Sequence, residues 1–122
     1  KGLFFGGKAD ESMNAGEIFP QPVEYYNEEV VKRMDHILGK NFSLISKSPL
    51  EISEDHYEFL DLIECKLVIL EKKYIEKNPW MKSFMEKDRA FLVRPDRYIF
   101  GSTNSNISID MLINDLKMRI MN

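Results

Sequence analysis

The stretch from Asp88 to Gly101 limits the possible folds more than any other part of the chain. Its first half, Ala90 to Val93, is an apolar run of residues that favour strands, and strand-forming residues return at 98–100. Between the two runs, Pro95 fixes φ for a turn, and the side chain of Asp96 can accept a hydrogen bond from the backbone that follows it. A proline cannot donate to a sheet ladder, so this turn belongs at the end of a sheet. The pattern predicts a β-hairpin.

The charged residues of the predicted turn are Arg94, Asp96 and Arg97. At the end of a sheet they are expected to lie where water reaches them, and exposed charges of this kind usually contribute little. A solvated turn is therefore the simpler interpretation. A site for an anion or a substrate is the alternative that the same residues leave open.

Upstream of the hairpin, helix and strand patterns alternate. Asn27 can cap a helix that ends at Gly39, with acidic residues in its first turn. Residues 42–45 predict a strand, and Ser53 can cap a second helix. Residues 67–70 form a continuous apolar run, which is typical of a strand covered on both faces. A strand, a helix and a strand in this order predict a parallel crossover.

Downstream, residues 71–77 are charged and predict an outward loop, and Pro79 with Trp80 predicts the start of a short helix before the hairpin. After the hairpin, Ser108 can cap a last helix that docks on the sheet. Its apolar residues recur at helical spacing: Ile109, Leu112, Ile113, Leu116 and Ile120. The methionines at helical positions are predicted to fill the core rather than to form a binding surface. The order of elements predicts an α/β domain with a central mixed sheet, a β-hairpin and flanking helices.

Residues 1–22 carry glycine, lysine, aspartate and proline without a sustained period, which predicts an extended arm or linker before a folded domain at 23–122. Leu3, Phe4 and Phe5 are the exception within this arm. Three consecutive large apolar residues are normally covered, so they are expected to pack on a neighbouring domain or on a second subunit.

The length of 122 residues allows one domain and one core. A formal net charge of −3 gives no basic surplus for a phosphate backbone, so nucleic acid is not expected as a partner. No apolar run has the length of a membrane span, and nothing at the start is typical of a signal peptide, so a cytoplasmic location is the default expectation.

Cys65 is the only cysteine, which excludes an internal disulfide and a Cys-x-x-Cys redox pair. A buried, inert thiol is the simpler interpretation of Cys65, and a reactive nucleophile is the alternative.

No residue is predicted to be catalytic, to bind a cofactor or to ligate a metal. Glu28 and Glu29 are explained by the start of a helix, because adjacent helix residues diverge. His36 and His56 lie on different predicted helices, without partners at metal-ligand spacing, and are expected on helix surfaces. A Ser-His-Asp triad stays open because its members meet in space, although no nucleophile-elbow pattern points to one. No Gly-x-Gly-x-x-Gly pattern is present for a dinucleotide.

Three segments, taken together, resemble the last domain of the flavin-dependent aromatic hydroxylases, the group that includes phenol hydroxylase and 3-(3-hydroxyphenyl)propionate hydroxylase. They are the Val-Arg-Pro-Asp turn at 93–96, the Gly-x-x-x-Pro-Gln-Pro pattern at 16–22 and the helix-Gly-strand step at 34–45. In this order they cover about residues 16 to 120. The resemblance is closest to the 3-(3-hydroxyphenyl)propionate hydroxylase type, whose hairpin also carries Asp-Arg-Tyr after the proline.

The resemblance implies a thioredoxin-like fold, which the order of elements derived above also matches. It implies a full enzyme that uses FAD, NAD(P)H and O2 to hydroxylate a phenolic ring, with the flavin carrying the chemistry. The family's FAD and substrate motifs precede this segment, so only structural residues carry over: Pro20, Pro22, Arg94, Pro95 and Asp96. The expected partners are the upstream FAD-binding domain of the same protein or a second subunit, including a homodimer. The chain departs from the family in starting within the arm, and we interpret it as a fragment.

Two hypotheses follow for the function. The first is a non-catalytic C-terminal domain of a flavin-dependent aromatic-ring monooxygenase, which serves stability, subunit contact or coverage of the flavin domains. The alternative is a free-standing, redox-inactive thioredoxin-like module that binds a protein partner.

Overall fold

The structure, a computed structural model, describes residues 3–7, 15–19, 40–70, 72–77, 82, 85 and 89–121. The strands are β1 (Ser43–Ser46), β2 (Lys66–Ile69), β3 (Phe91–Val93) and β4 (Ile99–Ser102). The helices are α1 (Glu54–Leu62), α2 (Lys72–Lys77) and α3 (Ile109–Met121), and a 3-10 turn covers Phe5–Gly7. The helix predicted after Asn27 and the helix start at Pro79 lie outside the described residues.

The four strands form one mixed sheet in the order β2-β1-β3-β4. β1 and β2 are parallel, with Leu44 opposite Leu67, whereas β1 is antiparallel to β3 and β3 to β4. The parallel crossover and the hairpin predicted from the sequence are both confirmed. The α/β class with a central mixed sheet is confirmed as well, and the strand order is compatible with a thioredoxin-like fold.

Each face of the sheet carries its own apolar core. On the face covered by α1 and α3, the buried residues are Leu44, Phe59, Leu60, Ala90, Leu92, Phe100, Leu112, Ile113 and Leu116. On the opposite face they are Phe19, Ile45, Val68, Leu70, Ile75, Met85, Phe91, Val93 and Ile99. Because side chains alternate along a strand, neighbouring residues such as Leu44 and Ile45 enter different cores.

Two of the sequence predictions around β2 are wrong. Residues 72–77 form a helix rather than an outward loop, and Ile75, only 7% exposed, anchors this largely charged helix on the sheet. β2 is not covered on both faces, because it lies at an edge of the sheet: Leu67 and Ile69 are 46% and 53% exposed. A continuous apolar run cannot by itself distinguish a central strand from an edge strand.

α3 begins as predicted, because the Ser108 hydroxyl accepts a hydrogen bond from the Met111 amide at 3.2 Å. Of its predicted core residues, Leu112, Ile113 and Leu116 are fully buried and Ile109 is half-buried. Ile120, in the last turn, is exposed instead.

Among the methionines of the described residues, Met85 fills the core as expected, whereas those on α3 are exposed, contrary to the prediction: Met111, Met118 and Met121.

The end of α1 offers a test of backbone strain. Glu64 follows the helix at a φ of 55°, and the Glu64 and Cys65 amides donate to the carbonyls of Asp61 and Leu60, which is a Schellman motif. Glycine adopts this left-handed conformation without the Cβ clash. Glu64→Gly is therefore expected to raise the free energy of unfolding by about 0.5–1 kcal/mol, measured by urea denaturation. Glu64→Ala, which keeps the Cβ, is the matched control; an equal gain in both variants would contradict a conformational cause.

Candidate functional site

The hairpin turn between β3 and β4 has the geometry that the sequence predicts. The Arg97 amide donates to the Arg94 carbonyl at 2.9 Å, and the Arg94 amide donates to the Tyr98 carbonyl at 2.8 Å. Arg97 has a φ of 75°, the left-handed position that closes a three-residue hairpin loop. Asp96 Oδ1 accepts a hydrogen bond from the Tyr98 amide at 3.2 Å. This bond confirms the predicted interaction of Asp96 with the backbone that follows it.

Arg94 is held on three sides. Its Nη2 donates to Asp96 Oδ2 at 2.5 Å, and its guanidinium carbon lies 4.9 Å from the ring centre of Phe4 and 5.6 Å from that of Tyr98. The Arg94 side chain is 19% exposed, whereas that of Asp96 is 49% exposed. The expectation that the turn charges face water is therefore right for Asp96 and wrong for Arg94. We call Arg94, Asp96 and Tyr98 the hairpin clasp.

The first piece of the N-terminal arm, residues 3–7, lies against this clasp and against α3. The Phe5 ring meets the Phe100 ring edge-on, with centres 6.4 Å apart, and Leu3 also packs on the core beneath α1 and α3. The Gly6 amide donates to Asp115 Oδ2 on α3 at 3.3 Å. The apolar arm residues are thus half-buried against their own domain, whereas the sequence predicted that a neighbouring domain or a second subunit covers them.

The second piece, residues 15–19, runs beside β4. The Gly16 amide donates to the Ile99 carbonyl at 3.0 Å, the Ile99 amide donates to the Glu17 carbonyl at 2.7 Å, and the Phe19 amide donates to the Arg97 carbonyl at 2.8 Å. Gly16 has a φ of 93°, which favours glycine, and Phe19 is fully buried. Residues 16–19, the start of the Gly-x-x-x-Pro-Gln-Pro pattern, therefore lie against the hairpin that carries the Arg-Pro-Asp turn, whereas Pro20 and Pro22 lie outside the described residues.

The hairpin clasp is suited to hold the arm rather than to bind a ligand. The guanidinium of Arg94 is paired with a carboxylate, and rings cover its faces, so an anion would have to displace Asp96 or Phe4 to reach it. Pro95 is exposed at the tip and pre-sets the turn. The interpretation of an anion or substrate site at this turn is not favoured by this geometry.

A second polar cluster joins the starts of α1 and α3. His56 Nδ1 lies 2.5 Å from Asp110 Oδ1, and the Ser53 amide donates to the same oxygen at 3.2 Å. The His56 side chain is 14% exposed, so the expectation of a plain helix-surface histidine is wrong. A triad needs a serine hydroxyl on the imidazole, whereas here Ser53 bonds the carboxylate. The cluster ties two helices together and lacks the arrangement of a nucleophile with its base.

The carboxylate of this cluster gives the stability a pH dependence. The hydrogen bond from His56 and, to a smaller extent, those from Ser53 lower the pKa of Asp110 below its usual value. When the pKa of a carboxyl is lower in the folded chain than in the unfolded chain, the ionised group stabilises the fold at pH values above the unfolded pKa of about 4. This stabilisation is lost as the pH falls through the folded pKa. We expect the melting temperature to fall from pH 5 to pH 2.5 less steeply in Asp110→Asn than in the parent. Asp61→Asn, which alters an exposed carboxylate on α1, is the control; parallel profiles for Asp110→Asn and the parent would contradict this role.

Cys65 is half-buried at the end of α1, where it packs beside the α1–α3 core. Burial raises the pKa of its thiol to about 12, so the thiolate is scarce at neutral pH. The interpretation of an inert thiol is favoured over a reactive nucleophile.

Within the part of the chain that the structure describes, no group of three His, Cys, Asp or Glu side chains could hold a metal ion, and no helix is long and apolar enough to cross a membrane.

The sequence predicted the turn of the clasp but missed one contact of the clasp and one of the cluster between α1 and α3. Phe4 lies 90 positions before Arg94, and Asp110 lies 54 positions after His56, so neither pair has a local signal. Comparisons of the chain with protein-family models, with curated proteins and with solved structures found no match.

Proposed function

We propose that this chain is the non-catalytic C-terminal domain of an FAD-dependent aromatic-ring monooxygenase, and that its hairpin clasp fixes the arm through which the chain enters the domain. The observation that carries the proposal is that residues 16–19, the described start of one resembling segment, lie against the hairpin, which is another. Gly16 and Phe19 bond the backbone of Ile99 and Arg97, in and beside the hairpin that carries the Arg-Pro-Asp turn. A structural role requires contacts of this kind, in which two segments that are far apart in the chain hold each other in place.

In this proposal the flavin chemistry belongs to upstream domains. The full enzyme would use FAD and NAD(P)H to hydroxylate a phenolic substrate, with the present domain contributing neither cofactor contacts nor catalytic groups. Two observations support this assignment of the flavin chemistry to upstream domains. The chain has no Gly-x-Gly-x-x-Gly pattern, and Arg94 of the Arg-Pro-Asp turn is already paired with Asp96. The partner would be the upstream FAD-binding domain or a second subunit, in the cytoplasm.

The proposal predicts the behaviour of the 122-residue chain by itself. The purified chain is expected to be colourless, to leave the fluorescence of added FAD unchanged, and to consume no NADPH with phenolic substrates. A chain that retains flavin through gel filtration, or that oxidises NADPH, would overturn the non-catalytic assignment.

The single thiol tests redox inactivity separately. Because the pKa of Cys65 is raised by burial, its reaction with a disulfide reagent at pH 8 is expected to be at least about tenfold slower than that of free cysteine. The rate is expected to approach that of an unfolded thiol in urea. Rapid labelling of the native chain at pH 7 would contradict an inert Cys65.

A second candidate is a free-standing, redox-inactive thioredoxin-like module that binds a protein partner. The exposed methionines of α3 favour it, because a polarisable Met surface adapts to different partners: Met111, Met118 and Met121. Removal of this surface by Met111→Gln and Met118→Gln would abolish binding of a partner to the module. In the first candidate the same change would leave the hydroxylase activity of a full-length enzyme intact.

A further inference from the structure

A cavity of about 440 Å³ lies outside the carboxyl ends of the two parallel strands, on a part of the molecule separate from the hairpin clasp. Lys47 directly follows β1, and Leu70 directly follows β2. α2 forms a further wall through Lys72, Ile75 and Glu76, and Lys82 and Met85 are the other lining residues that the structure describes.

The position of the cavity follows from the topology of the sheet. The chain leaving β1 enters α1, which packs Phe59 and Leu60 on one face, whereas the chain leaving β2 enters α2, which packs Ile75 on the other. Where the connections of adjacent parallel strands diverge in this way, a crevice opens at their carboxyl ends, and ligands of open α/β sheets bind there.

The lining has an apolar floor and a charged rim. Leu70, Ile75 and Met85 are 4%, 7% and 1% exposed and continue into the core on that face of the sheet. Among the lining residues that the structure describes, the rim carries more positive than negative side chains, although the whole chain has a formal net charge of −3: Lys47, Lys72, Lys82 and Glu76. A lysine ammonium is a compact charge on a flexible stem, which suits a carboxylate at the mouth of an apolar site.

We propose that this cavity binds a small organic anion with an apolar body, of the class of medium-chain or aromatic carboxylates. The apolar part contacts Leu70, Ile75 and Met85, and the carboxylate lies at the rim near Lys72 and Lys82. The volume is within the range of small-molecule sites, and an apolar lining with a few polar groups is their usual composition.

Three eight-carbon probes that differ only in the head group test the ligand class. Octanoate, octanamide and octylammonium are titrated into the 122-residue chain by calorimetry at low ionic strength. Octanoate is expected to bind at least about fivefold more tightly than octanamide, and octylammonium more weakly than either. Failure of all three to bind at millimolar concentration, or equal binding of octanoate and octylammonium, would overturn the proposal.

Variants of the rim test the location. Lys72→Met combined with Lys82→Met keeps the length of the side chains and removes two charges, and is expected to weaken octanoate binding by about fivefold. Lys117→Met on α3, outside the cavity lining, is the matched control and is expected to bind octanoate as the parent does. The Lys72 side chain is 89% exposed, so Lys72→Met alone provides a folded variant if the double change is unstable. Unchanged octanoate binding in the rim variants would place the ligand elsewhere and overturn the site.

Discussion

Phe19→Ala is expected to lower the free energy of unfolding by about 3–5 kcal/mol, the usual cost of removing a fully buried phenylalanine. Phe19 has no exposed surface and lies in the core on the α2 face, where its ring meets that of Phe91 with centres 6.1 Å apart. Its amide also bonds the Arg97 carbonyl. The loss should be visible as a lower urea midpoint with an unchanged slope.

The neighbouring residue is the control for this prediction. Ile18 is 55% exposed, so Ile18→Ala should cost less than about 1 kcal/mol. The comparison also tests the boundary predicted from the sequence, which assigned residues 1–22 to an arm and 23–122 to the domain. If Phe19→Ala and Ile18→Ala destabilise equally little, Phe19 does not pack in the core and the arm is not part of it.

Arg94→Ala is expected to destabilise the chain by about 1–3 kcal/mol and to loosen the N-terminal arm. The change removes the charge-assisted bond to Asp96 and the contacts of the guanidinium with the rings of Phe4 and Tyr98. Hydrogen exchange reports the loosening directly, because the Gly7 amide donates to the Phe4 carbonyl within the arm. Its protection should fall by more than that of the β1 amides.

Arg94→Lys and Lys72→Ala separate the causes. Lysine keeps the positive charge but loses the planar group that stacks on rings, so Arg94→Lys should fall between the parent and Arg94→Ala. Lys72→Ala removes a charge from a side chain that is 89% exposed and should cost less than about 0.5 kcal/mol. An Arg94→Ala chain with unaltered stability and unaltered exchange at Gly7 would show that the hairpin does not hold the arm.

The parts of the fold that the sequence predicted are those with local causes. Pro95 and Asp96 specify their turn through their own backbone chemistry, and Ser108 caps α3 through a bond three residues away. Spacing alone also identified Leu112, Ile113 and Leu116 as the buried side of α3.

The errors arose where burial depends on distant parts of the chain. The exposure of Leu67 and Ile69 follows from the position of β2 at the sheet edge, which its own sequence does not encode. The helix at Lys72–Lys77 packs on the sheet through Ile75, which lies in a largely charged segment. His56 gains its partner only when the first turns of α1 and α3 meet. Tertiary contacts decide these features, and one sequence does not reveal them.

The measurement that tests the proposed function most directly is the intact mass and absorption spectrum of the product of the native gene, purified with all of its sequence. A non-catalytic C-terminal domain of an aromatic hydroxylase predicts a polypeptide much larger than 14.3 kDa that carries bound flavin and oxidises NADPH with a phenolic substrate. A colourless product with a mass near 14.3 kDa would contradict that assignment and leave the protein-binding module as the function.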